Sequence, residues 1–128
     1  MDAESAALAR FLDGAIAARD FPHHEHVRMA FAILRRHEFT DAALRYANAL
    51  RGIACRAGKP EAFHLTVTLA FLALIAERMA RGTAADFAAF AHANPDLFAK
   101  DVLARWYRPE QLASPLARRV FLLPDPRA

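Results

Sequence analysis

The chain carries six histidines, and four of them fall in two places. His23, His24 and His26 follow Pro22, and His64 stands between Phe63 and Leu65. On a helix turning about 100° per residue, His23 and His26 lie on or beside the apolar stripe of Val27, Ala30 and Leu34. Glu25, Arg28 and Arg36 lie opposite, with His24 at the boundary. Two imidazoles three residues apart on an inner face can hold one metal ion. If His64 reaches the same pole, His23, His26 and His64 supply three ligands with an open position, the pattern of a zinc- or iron-type catalytic site. Such a metal would lower the pKa of bound water and polarise a substrate oxygen. Asp20 or Glu25 would orient a ligating ring. On the helix that follows His64, Thr68 and Arg78 share its face and would contact substrate. Thr66, on the other side, would support the shell and completes the substrate-binding set.

Two other readings stand beside this one. Without a metal, the His pair with Thr68 and Arg78 could bind an anionic or carbonyl ligand and do acid–base work. Alternatively, the imidazoles are structural, satisfied by nearby backbone carbonyls. Sharper motifs are missing. His24-Glu25 lacks the second His of a zincin helix, and Gly14, Gly52, Gly58 and Gly82 are too far apart for a phosphate loop or dinucleotide fingerprint. The string His23-His24-Glu25 evokes hemerythrin-like iron domains, but later helices lack the further ligands these require.

The positioning elements follow from composition. The 128 residues include 31 Ala but only four each of Val, Ile and Thr, which favours helix over strand. Punctuation predicts six or seven helices. The first spans Ala3 to Arg19, and the second runs from Pro22 to Arg36. The third is capped by Thr40 and runs from Asp41 to Arg56. The fourth opens at Pro60-Glu61, covers about 62–80, and is apolar all round, which predicts a central helix. Three more start at Thr83, Asn94 and Pro109, running to about His92, Tyr107 and Phe121. The tail Leu122–Pro126 is extended, and Phe121, Leu122 and Leu123 are expected to dock on the bundle. The fold expected is a compact all-α bundle forming a single domain over 1–128. Loops of two to four residues make successive helices antiparallel. The second and fourth helices then start at one pole, and this is what would bring His23, His26 and His64 together.

Net charge is +3, and the pI is near 9.6. The charge is evenly spread, so no basic stripe predicts nucleic-acid binding. The lone Cys55 permits no intrachain disulfide, and its neighbours suggest a buried thiol. The acidic start lacks a signal peptide's basic region. The longest apolar run, Leu65–Ala76, is shorter than the roughly 20 residues a membrane span needs. A cytoplasmic protein is expected. Trp106-Tyr107 is expected to close the bundle, and Arg118 or Arg119 to hold the tail through Asp125 or bind a carboxylate.

Three strings carry a resemblance. These are Phe21-x-His23-x-x-His26-x-Arg28-x-Ala30, Phe63-His64-x-Thr66-x-Thr68, and Tyr107-x-x-Glu110-x-Leu112-x-Ser114 with Arg118 or Arg119 and Pro124-Asp125. Together they resemble a family of short bacterial helical proteins with no assigned reaction. The chain departs from it with Phe63 in place of Tyr and Arg108 in place of Ser. The resemblance implies that His23, His26, His64, Thr66 and Thr68 belong to one site, and it implies no chemistry. The leading expectation is thus a metal-dependent enzyme acting on a small molecule. The alternatives are a metal-free binding or regulatory module, and a structural protein that forms a homodimer through Ala-rich faces.

Overall fold

Most of the Ala-rich segments fold as helices. The computed structural model describes residues 2–126. Residues 1, 127 and 128, which the expected domain over 1–128 includes, lie outside the described residues. Seven α-helices form among the described residues: α1 Ala3–Leu12, α2 His23–Arg36, α3 Phe39–Arg56, α4 Leu65–Arg81, α5 Phe87–Ala93, α6 Pro109–Ala113 and α7 Pro115–Arg119. Short 3₁₀ turns occupy Ala18–Asp20, Pro60–Ala62, Pro95–Phe98 and Val102–Arg105. No strand occurs among the described residues. One apolar core joins helices α1 to α5 with the 3₁₀ turns that follow α5, making a single compact domain.

Several boundaries differ from the expected ones, each for a local reason. Helix α1 stops at Leu12, not Arg19. Gly14 takes φ +80°, and the Ala15 N–H reaches back to the Arg10 carbonyl at 2.9 Å. A glycine in the left-handed region after a helix is a common stop. Helix α3 starts at Phe39, with Glu38 extended before it. Thr40 does not cap it, because its hydroxyl donates to the Glu38 carboxylate at 3.0 Å. The segment from Thr83 waits until Asp86, whose carboxylate accepts the Ala89 N–H at 2.9 Å. The expected helix after Asn94 is two 3₁₀ turns, parted at Ala99 by an extended backbone. The last expected helix is split at Ser114, held extended by the proline after it.

Helix α4 packs on α2, α3 and α7, as a central helix should. Yet α2 is the more enclosed of the two. It contacts α1, α3, α4 and α5, and Val27 and the run Met29–Ile33 are all buried. The reason is that α4 turns Ala73 and Glu77 to solvent, so its apolar surface is not covered all round. Cys55 also departs from expectation. Ile53 and Ala54 face inward, and the helix turn then carries Cys55 to the exposed side.

The tail docks through its backbone more than its side chains. The Tyr107 hydroxyl donates to the Leu122 carbonyl at 2.7 Å, and the Gln111 amide donates to the Leu123 carbonyl at 2.8 Å. Phe121 and Leu123 remain exposed, against expectation, and only Leu122 is half-buried. Tyr107 is buried and Trp106 stays partly exposed. Arg118 donates to the Glu61 carbonyl at 2.7 Å and so braces the 3₁₀ turn before α4 instead of reaching Asp125. No helix among the described residues is long and apolar enough to cross a membrane.

Candidate functional site

His64 lies just outside the helix that the sequence assigns to it. Pro60–Ala62 forms its own 3₁₀ turn, and Phe63 and His64 are extended. His64 therefore caps α4: its Nδ1 accepts the Val67 N–H at 3.1 Å. This satisfies one of the unpaired amides of a helix start, a task usually left to Ser, Thr, Asp or Asn. On the other side of the ring, Nε2–H donates to the Leu112 carbonyl at 2.7 Å. A carbonyl can only accept, so the proton sits on Nε2 and both nitrogens are engaged.

His23 begins α2. Its Nε2–H donates to the Leu97 carbonyl at 3.0 Å, and its ring packs on Phe71 with centroids 5.4 Å apart. His26 sits one turn further in, 6.1 Å from His23 and 4.5 Å from Phe21, centroid to centroid. Burial pushes the His26 imidazole down from its ordinary 6.5 to about 4, and the neighbouring His23 adds to this. The Phe21 backbone pulls weakly the other way. Beneath them the Tyr46 hydroxyl donates to the His26 backbone carbonyl at 3.2 Å. Burial raises the Tyr46 phenol well above its ordinary range.

His23, His26, His64 and Thr68 line one pocket of about 370 Å³ at the pole where α2 and α4 begin. The rest of its wall is mostly apolar, supplied by Phe21, Leu50, Ile53, Ala54, Phe63, Val67, Phe71 and Leu103 among others. The shared pole inferred from the loop pattern is thus present. Thr68 is buried, and its hydroxyl has no hydrogen-bond partner among the described residues.

Thr66 and Arg78 are not brought to this pocket. Thr66 is fully buried on the other side of α4. Its hydroxyl donates to the Val120 carbonyl at 2.7 Å and accepts the Leu122 N–H at 3.0 Å, so it fastens the tail. Arg78 grips Asp96 through two bonds of 3.0 and 2.8 Å and donates to Asn94 at 3.0 Å. Those bonds lower the Asp96 carboxyl and raise the Arg78 guanidinium, with burial opposing both. Glu25 pairs outside the pocket, lying 3.7 Å from Arg28 and 3.5 Å from the exposed His24.

The fit to a zinc or iron ion can be judged from the donors. A metal on either His64 nitrogen would break an existing bond, and one on His23 Nε2 would break the Leu97 bond. Among the described residues no three His, Cys, Asp or Glu side chains gather as a metal-ligating group. The expected triad of His23, His26 and His64 shares a pocket without forming a coordination sphere.

Sequence reasoning missed the aromatic and apolar walls, and it missed Lys59 and Lys100, which also line the pocket. A signal was there: these are the only two lysines in the chain. Comparison with protein-family models, curated proteins and solved structures gives no significant match. The resemblance drawn from the short motifs therefore rests on those motifs alone.

Proposed function

We propose that the protein binds a small, mainly apolar molecule in the pocket at the start of α2 and α4, without a metal. The carrying observation is a concave apolar chamber of about 370 Å³ with a few convergent polar groups. That combination is the usual form of a small-molecule site, whose volumes run from roughly 300 to 1,000 Å³. The imidazoles support binding more than proton transfer. A general base works best with a pKa near the working pH, and His26 at about 4 is a weak base at neutrality. It serves instead as a neutral hydrogen-bonding wall. His64 and His23 spend their protons on backbone carbonyls, which fixes the shape of the chamber. The free Thr68 hydroxyl is a polar group left for a guest.

The test is a fluorescence titration with phenylnaphthylamine, a neutral apolar dye that brightens away from water, before and after dialysis against a chelator. Saturable one-to-one binding is expected, unchanged by chelation. Ala54→Phe, which fills the chamber from α3, should abolish it while helix content by circular dichroism stays native. No saturable binding to the native protein, or binding lost on chelation, overturns the reading.

A further inference from the structure

We infer that the guest of this pocket is a small organic anion, an apolar body carrying one acidic head group that Lys59 and Lys100 receive. This rests on the binding reading above and adds the charge of the ligand to it. Lys59 comes from the connection between α3 and α4, and Lys100 from between the last two 3₁₀ turns. These two segments are distant in sequence, yet both lysines line the same pocket. The other fifteen cations of the chain are arginines, so the fold places its only two lysines at one pocket.

Their surroundings set them apart again. Most arginines near a carboxylate are paired with it: Arg28, Arg36, Arg45, Arg78, Arg81 and Arg105 all have Asp or Glu partners. The side chains of Lys59 and Lys100 have no ion pair and no hydrogen bond among the described residues. The pocket lining contains no Asp or Glu at all. Its charged groups are thus of one sign, and they stand exposed beside its apolar walls. A cationic guest would meet two like charges with nothing to offset them. A neutral guest would gain from the walls alone. An anion gains from both, because the flexible lysine stems let the ammonium groups reach a head held at the pocket while the body is buried. The Thr68 hydroxyl offers the same head a further donor.

A matched pair of dyes tests this. Anilinonaphthalenesulfonate and phenylnaphthylamine share one aromatic body, and only the first carries a negative charge. The native protein should bind the sulfonate about tenfold or more tightly than the neutral dye, the advantage expected of a charged hydrogen bond. Added salt should shrink the difference. In Lys59→Gln/Lys100→Gln, two exposed positions, sulfonate affinity should fall to that of the neutral dye, whose own affinity should not move. Equal binding of both dyes by the native protein, or sulfonate binding untouched by the double substitution, overturns the anion assignment and leaves the pocket reading standing. No saturable binding of the neutral dye overturns the pocket reading itself.

Discussion

At the scale of single residues, the site is governed by where each polar group sends its hydrogen bonds. His64 shows this most clearly: a cap at one nitrogen and a brace to Leu112 at the other engage both sides of its ring. His26 is held neutral by burial, and that has a consequence for stability. Its pKa is about 4 in the folded protein against an ordinary 6.5. As pH falls, the unfolded chain takes up this proton first, so folding loses stability between about 6.5 and 4. Above 6.5 the contribution is fully present. The loss is up to about 3 kcal/mol for a shift of this size. His26→Gln cannot take the proton, so its stability should fall less between pH 7 and pH 4.5 than that of the native chain. Denaturant unfolding across that range measures the difference, and parallel curves for the two proteins would refute the neutral, half-buried His26.

Thr66 carries a second consequence at this scale. It is fully buried and serves two backbone groups of the tail. Thr66→Val keeps the shape but leaves those groups unpaired, at a cost of about 2 kcal/mol. Thr66→Ser should restore most of this. Hydrogen exchange at the Leu122 amide should speed up in the Val variant and not in the Ser variant, and dye binding should survive in both.

At the scale of elements, the sequence was legible where periodicity was long and illegible where a single bond decided the geometry. The all-helical class, the α2 boundaries to within a residue, and the shared pole of α2 and α4 all followed from Ala content, Pro22 and short loops. The end of α1 did not, since it turns on one glycine adopting φ +80°. The last two helices share one expected segment from Pro109 to Phe121, and it breaks at Ser114 because a residue before proline resists the helical conformation. In the site, His23, His26 and Thr68 could be read from their helix faces. Thr66 and Arg78 could not be assigned that way, because face angles do not say which neighbour a side chain meets. Arg78 in fact ties α4 to the turn after α5 through Asp96 and Asn94. Lys cannot reproduce the two parallel bonds of the guanidinium. Arg78→Lys should therefore lower the melting temperature by a few degrees, equivalent to about 1 kcal/mol, and leave dye affinity unchanged. A loss of affinity without a loss of stability would return Arg78 to the binding site.

At the scale of the molecule, the helices enclose one core and leave one apolar chamber at the pole where two of them begin. Three imidazoles, a free hydroxyl and the only two lysines of the chain meet around that chamber. Packing thus converts scattered residues from α2, α3, α4 and three connections into a single surface. The account stands on this chamber holding a guest, and phenylnaphthylamine titrated into the native protein and into folded Ala54→Phe tests it most directly. One saturable site in the native chain and none in the variant is the predicted result. No saturation in the native chain, or equal affinity in both proteins, would contradict it.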